Sequence, residues 1–280
     1  MWRCMPITDQ DARELARRIL TAAGAASSMP PLTDGMPGFD LDDAYRVAAR
    51  VMEGRLAEGA RPVGWKIGFT NRTIWDEYGV HAPIWGPMYD DTVQPVSRAG
   101  GPASCPLGRL VEPRIEPEIV LRIARPPHSD MDERELLACI DGVGHGCEIV
   151  QSLFPAWRFR AADTVAAFAL HGRYLHGPLT TIGPNGREDW LSRLSAFEMV
   201  LSCNDREIDR GSAANVLGGP LSALRHFVRG LSECPLPIGL RAGDLVTTGT
   251  VTRAFPVQPG ERWSTQVVGL PLPGMHLLFT

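Results

Sequence analysis

The chain has 280 residues, 44% of them hydrophobic and 21% charged, with a formal net charge of −4, the make-up of a globular protein able to bury one large core plus a smaller segment. No apolar run reaches the ~18 residues of a membrane-spanning helix, the N-terminus lacks the apolar stretch of a signal peptide, and no basic block or basic–aromatic stripe offers a surface for nucleic acid. A cytoplasmic protein without membrane or nucleic-acid partners is therefore expected; its six cysteines (Cys4, Cys105, Cys139, Cys147, Cys203, Cys234) form no C-x-x-C pair, which argues against a thiolate metal site and for buried reduced thiols.

In chain order, residues 9–24 show the periodicity of an amphipathic helix, with Thr8 as its cap and Asp11 as the box partner. A Pro/Gly loop, "MPPLTDGMPG", follows, and Asp40 with Asp43 repeats the capping pattern before a second helix over roughly 41–58. Residues 1–60 thus form an N-terminal helical segment, and 61–280 are expected to form the catalytic domain. There "VGWKIGF" reads as a strand, "RTIWDEYG" as a short helix or turn, "RIEPEIVLRIA" as a strand and "MDERELLACI" as a helix. "HGCEIVQ" reads as a strand and "DTVAAFALHG" as a short helix. Strands are expected near 173–183, 196–203 and 206–209, a helix over "GPLSALRHFVRGLSE", and strands at "DLVTTG", "RWSTQVVG" and "MHLLFT". Short helices, many strands, 29 glycines and 24 prolines without βαβ alternation predict an α+β fold: a mixed, rolled or barrel-like sheet with helices at its edge.

Two local patterns carry chemistry. In "EPRIEPEIVLRIA", Ile115, Ile119, Leu121 and Ile123 share one strand parity, and Glu116 and Glu118 share the other. Residues i and i+2 of a strand project from one face about 7 Å apart, so two carboxylates stand side by side, and Pro117 between them marks an edge or a bulge. By itself E-x-E also describes the polar face of an edge strand. Glu148, in "GHGCEIVQS" beside apolar Ile149 and Val150, is a third acid off any ordinary solvated face. Converging carboxylates repel unless a hard divalent ion relieves them, and all-oxygen ligation selects Mg²⁺, Mn²⁺ or Ca²⁺.

The second pattern is Lys66, the single lysine in a chain whose other basic residues are all arginine. On its strand Gly64 and Gly68 share its face, which leaves room for a ligand. An ammonium there can bind a carboxylate or enolate and can exchange a proton, as arginine cannot; the alternative is a snorkelling surface lysine.

These residues also carry a resemblance. "GWKIGFTNRTIWDEYGVHAPIWG", "EPRIEPEIVL", "CEIVQSLFPAWRFRAADTVA" and "LRAGDLVTTGTVT" are similar, in this order over roughly 40–280, to blocks of the fumarylacetoacetate hydrolase superfamily, in the branch of 2-oxo-acid hydratases and decarboxylases of aromatic meta-cleavage pathways. The resemblance implies a β-roll fold, a homodimer or larger homo-oligomer, and Mg²⁺ or Mn²⁺ held by Glu116, Glu118 and Glu148. It places Lys66 in the active site and implies that Gly249 and Thr250 contact the substrate carboxylate. Two positions depart from the pentenoate hydratase pattern: Ile84 stands where an Asp is usual, and Ala167, Phe168, Ala169 and Leu170 replace an Asp-Asn-Ala-Ser.

The chemistry so implied is metal-stabilised enolate chemistry on a small 2-oxo acid: hydration of a 2-hydroxydienoate first, with decarboxylation or acylpyruvate C–C hydrolysis as alternatives and a non-catalytic metal-binding protein as the reading from another class. His171, near the end of the "DTVAAFALHG" helix, is either a catalytic residue facing the pocket or a histidine favoured by the helix C-terminus. His145, three residues before Glu148, is expected to face away from the metal, and Arg158 and Asp163 to brace their loop as an ion pair.

Overall fold

The computed structural model describes residues 6–97 and 101–280, with the backbone alone at 77 and 78; Cys4 lies outside them. The first helices are α1 (Asp9–Gly24), α2 (Leu32–Gly35) and α3 (Leu41–Ala57). Thr8 and Asp11 cap α1 reciprocally as its sequence requires. At α3 only half of that pattern forms: Asp40 accepts from the Asp43 N–H, but the Asp43 carboxylate accepts from the Ile7 N–H instead, which pairs that half-buried donor. The expected Pro/Gly loop contains the short α2, whose Thr33 donates through N–H and Oγ1 to buried Asp163.

The strands are β1 (Pro62–Gly68), β2 (Ile84–Tyr89), β3 (Val93–Pro95), β4 (Ala103–Cys105), β5 (Arg114–Ile123), β6 (Ile140–Val150), β7 (His171–His176), β8 (Thr180–Thr181), β9 (Glu198–Cys203), β10 (Arg206–Ser212), β11 (Leu245–Thr250), β12 (Phe255–Pro256), β13 (Arg262–Val268) and β14 (His276–Phe279). Among the described residues they form two sheets. The larger runs β2-β1-β11-β5-β6-β7-β3, with β12 beside β5 and β8 beside β6; the smaller runs β10-β9-β13-β14-β4. The large sheet is mixed: β1 pairs with β11 and β3 with β7 in parallel, and the central pairs are antiparallel.

The remaining helices are α4 (Trp75–Tyr78), α5 (Glu133–Leu137), α6 (Ala161–Ala166), α7 (Arg187–Leu194) and α8 (Pro220–Leu231). The apolar parity of β5 is split between two cores. Ile119, Leu121 and Ile123 join a cluster with helix residues such as Ile19, Val47 and Phe227, while Ile115 meets Leu201, Trp263 and Leu277 of the small sheet. The Trp65 and Phe227 rings, 5.4 Å apart, seat α8 on β1, and a Tyr45–Trp85 stack at the same distance seats α3 on β2. The expected α+β architecture therefore stands, with helices on the outer face of a mixed sheet. No helix among the described residues is long and apolar enough to cross a membrane.

Candidate active site

Pro117 is not at a sheet edge. β5 is paired along both sides, and Glu116 sits opposite Glu148 in a register with β6 that runs without a shift from Arg114 to Arg122. The irregularity lies in the other neighbour: the β11–β5 register shifts between Thr247 and Thr250, where the Pro117 carbonyl accepts from the Val251 N–H. A strand residue directs its nitrogen and its carbonyl to the same side, so the missing N–H of Pro117 faces that bulge and costs no ladder bond.

Gly249 makes the bulge. Its φ is +92°, and a Cβ there would fall 1.8 Å from Thr70 Oγ1, so only glycine fits. Its N–H donates to Glu118 Oε2 at 2.9 Å.

Glu116, Glu118 and Glu148 converge as expected: each offers a carboxylate oxygen, and these atoms all lie within 4.8 Å of one another. Glu118 and Glu148 are fully buried and Glu116 half-buried. Burial pushes the Glu116 carboxyl up to about 7, a rise that Lys66 opposes and Glu148 reinforces. Burial and then the charge of Glu148 raise Glu118 as well. For Glu148 the balance is reversed: burial works against its charge, but Lys66 and a hydrogen bond from His171 hold it below the usual range.

Lys66 reaches this cluster from a distance in sequence and in sheet position. Through Thr247 and Val120 its register leads to Gly144 of β6, three strands over and four residues short of Glu148. In a flat sheet that separation is roughly 14 Å across by 13 Å along, yet Lys66 Nζ stands 3.1 Å from Glu148 Oε2. The sheet is therefore curled, with the carboxylates and Lys66 on its concave face. The aligned donation of Nζ goes to the Ala169 carbonyl at 3.0 Å, while the contact with Glu148 is coulombic. Burial opposes the Lys66 charge, but Glu148, Glu116 and Glu118 outweigh it and raise the pKa.

The two glycines flanking Lys66 serve different neighbours. A Cβ on Gly64 would strike the Leu245 carbonyl of β11 at 2.0 Å, whereas one on Gly68 would meet Ile84 and Lys66 Nζ itself at 3.2 and 3.3 Å. Gly64 thus admits a strand; only Gly68 leaves space on the cavity side.

His171 is not at a helix end. The helix stops at Ala166, and Phe168, Ala169 and Leu170 follow with φ of 59°, 50° and 65°. Three consecutive left-handed residues cost on the order of 1–2 kcal/mol each, and they turn the Ala169 carbonyl towards Lys66. His171 then opens β7, with Nδ1 2.7 Å from Glu148 Oε1 and Nε2 2.9 Å from Thr92 Oγ1. It lies behind Glu148 and outside the wall of the cavity lined by Lys66 and Glu116.

That cavity, about 230 Å³, has Lys66 and Glu116 at its floor and both Gly249 and Thr250 in its wall. The Gly249 N–H donates to Glu118, and the Thr250 hydroxyl donates to the Thr252 carbonyl. Thr70, which no local motif marks, lines the cavity with a buried Oγ1 that has no hydrogen-bond partner among the described residues. Ile84, Ala169 and Leu170 line it too, so the replacements of polar family residues do fall on the pocket. His145 faces away from the cavity, with Nδ1 2.9 Å from the Glu118 carbonyl and Nε2 2.7 Å from Thr265 Oγ1 of the small sheet; burial lowers it to about 4. Asp163 bonds Thr33 and the Arg160 N–H rather than Arg158.

A model of the fumarylacetoacetate hydrolase C-terminal family matches residues 81–272. The chain belongs to this family. Within this fumarylacetoacetate hydrolase family it is 31% identical over 265 residues, 94% of both chains, to 2-keto-4-pentenoate hydratase of Paraburkholderia xenovorans (strain LB400). It is 29% identical over 250 residues, 88% of this chain and 90% of the other, to 4-oxalocrotonate decarboxylase of Pseudomonas sp. The solved 4-oxalocrotonate decarboxylase from Pseudomonas putida G7, complexed with magnesium and adipate, superimposes with a TM-score of 0.87 at 26% identity over 98% of this chain and 99% of that one.

Proposed function

We propose that the chain is a divalent-metal-dependent lyase acting on small 2-oxo acids, a hydratase that adds water to 2-hydroxydienoates. The observation that carries this reading is the gathering of Glu116, Glu118 and Glu148 with Lys66 beneath one cavity, which Lys66 and Glu116 line, in a chain similar over nearly its whole length to 2-keto-4-pentenoate hydratases. The donor set fits a hard cation. Glu118 Oε1 is buried with no hydrogen-bond partner, and three acids on one concave face repel one another unless protonated or bridged. Glu116, Glu118 and Glu148 would hold the ion; Mg²⁺ or Mn²⁺ suits an all-carboxylate set, and related structures carry magnesium or calcium. When bound, it supplies Lewis-acid stabilisation of negative charge on the 2-oxo oxygen.

This chain's own residues do the rest. Lys66 holds a proton at Nζ and donates it in a hydrogen bond to a substrate carboxylate or enolate oxygen. Thr70 Oγ1 adds a second donor beside it. His171 acts through Glu148, fixing that carboxylate, and is a positioning residue and not a catalytic one. Ile84 and Leu170 keep bulk water from the floor. The enzyme is placed in the cytoplasm, as a homodimer or larger homo-oligomer with residues 61–280 as its catalytic unit.

Decarboxylation is the second reading, favoured by the apolar Ile84 where pentenoate hydratases carry an acid and by the 0.87 TM-score to a decarboxylase. One experiment separates them: incubate the protein and Mg²⁺ with 2-hydroxydienoates and 2-oxo-enedioates, following dienol absorbance and CO₂ together. Absorbance loss without CO₂ is hydration; equimolar CO₂ is decarboxylation. Glu116→Ala is expected to abolish the reaction with the fold retained, and activity that survives chelation rules out the metal-dependent mechanism.

A further inference from the structure

Two guanidiniums border the cavity without a task in the chemistry above. Arg114 opens β5 on the face of Glu116 and Glu118, so the deepest carboxylate, the half-buried one and the guanidinium follow one another outward at steps of about 7 Å. The Arg114 guanidinium lies 4.0 Å over the Trp157 ring, which fixes its plane, and among the described residues it makes no salt bridge. Arg253 lies between β11 and β12, and β12 pairs with β5 at Arg114. Its carboxylate neighbour is Asp209 at 3.5 Å, an acid that already accepts from the Arg253 and Arg210 backbone N–H groups. The Arg253 side chain is 70% exposed and can turn inward without breaking a close ion pair. Both arginines line the cavity, and the wall between them and the floor is apolar, with Phe69, Ile74, Ile84 and Leu170.

Charge then decides what fits. With a divalent cation held by the three carboxylates, the charges beneath the floor and on Lys66 would balance. A 2-oxo acid bound there brings one negative charge; at the rim Arg114 has no carboxylate in an ion pair among the described residues, and Arg253 has only the 3.5 Å contact with Asp209. Cations that border an apolar cavity without a close ion pair are matched by a second anionic group on the ligand, which a planar fork holds best. Resting on the metal-dependent reading of the floor, we infer that the substrate is a dicarboxylate: its 2-oxo acid end lies over Glu116 and Lys66, its short chain crosses the apolar wall, and its far carboxylate is held by Arg114 with Arg253 closing over it.

The test compares ligands that differ only at the far end. With Mg²⁺ present, calorimetry measures binding of 2-oxohexanedioate and 2-oxohexanoate, and turnover is measured on the matching 2-hydroxydienedioate and 2-hydroxydienoate. The wild type is expected to favour the dianion by ~10-fold or more, the range of a charge-assisted hydrogen bond, and that ratio is expected to fall about 10-fold in Arg114→Gln and less in Arg253→Gln. Arg114→Lys, which keeps the charge without the fork, and Arg253→Gln, at an exposed position, carry the test if Arg114→Gln does not fold. A wild-type ratio near one, or a ratio that no variant moves, overturns the inference. If neither dienoate is consumed, the reading of the floor falls, and the ratio of the two binding constants still decides the arginine assignment.

Discussion

Lys66 is 2% exposed, wedged between the Ala169 carbonyl, Glu148 and the space above Gly68, where Ile84 closes in. A guanidinium is wider than an ammonium and spreads its donors in a plane, so it cannot occupy that place without displacing Glu148 or the left-handed turn. Lys66→Arg is accordingly expected to lose ~10²-fold or more in kcat, close to Lys66→Ala; a near-wild-type rate in the arginine variant would show that only positive charge is needed. The carboxylates give the second expectation at this scale. Glu116 has its folded pKa raised to about 7, so without metal the carboxyl favours the folded state at low pH, and that contribution is lost as pH rises through about 7. A cation binds the ionised form and reverses the sign. The rise in Tm produced by Mg²⁺ should thus be larger at about pH 8 than at about pH 6, as read by calorimetry, and an increment independent of pH would exclude Glu116 as a ligand.

At the scale of elements, the site depends on backbone that departs from regular structure. The β11 bulge at Gly249 relieves Pro117, admits Thr70 and carries the N–H that orients Glu118. Gly249→Ala is expected to cost about 1–3 kcal/mol from φ strain alone, and more from the clash with Thr70. The urea midpoint should fall, and the Mg²⁺ stabilisation should fall with it because Glu118 loses its donor; a variant that keeps both would show that the bulge is dispensable. The segment 168–170 illustrates why such features escape a reading of the sequence. "DTVAAFALHG" has helical composition, with Ala, Val, Phe and Leu throughout, yet the helix ends at Ala166 and three L-residues turn left-handed. Nothing local specifies that turn; the carbonyl it aims at Lys66 and the strand that begins at His171 do. Strands β2, β3, β4 and β12 and helix α7 were passed over for a related reason, because short elements acquire their identity from partners far away in sequence.

At the scale of the molecule, His145 joins the two sheets. It bridges the carbonyl of Glu118 in the large sheet and the hydroxyl of Thr265 in the small one, so it ties the strand that carries the carboxylates to the layer behind. Its pKa is lowered from 6.5 to about 4 by burial. The sign for a lowered group is fixed: the stability it contributes is present above about 6.5 and lost as pH falls through about 4, to a full extent of about 3 kcal/mol. His145→Leu should therefore cost about 2 kcal/mol at neutral pH through two lost hydrogen bonds, and it should flatten the acid limb of the stability curve relative to wild type. An acid limb unchanged in the variant would place the sensitivity elsewhere.

What the chain declares by itself is what short-range periodicity and residue type can encode. The parity of 115–123 separates two carboxylates from an apolar face. The Thr8–Asp11 pattern starts α1, and a single lysine among arginines marks a position where a compact ammonium is required. Those signals, with the order of the family's motifs, point to the α+β class and single out the three acids and the lysine that the fold brings together. What only the tertiary structure decided is which groups are already taken. The N–H of Gly249 belongs to Glu118, the imidazole of His171 stands behind Glu148, the freedom of Gly64 is used by β11, and Lys66 Nζ stands against Glu148 and the Ala169 carbonyl. Each is settled by curling the large sheet until strands β1 and β6 face one another, which brings together side chains whose sequence separation no local pattern spans, and the electrostatics of a buried site depend on that full set of neighbours rather than on any one residue's burial.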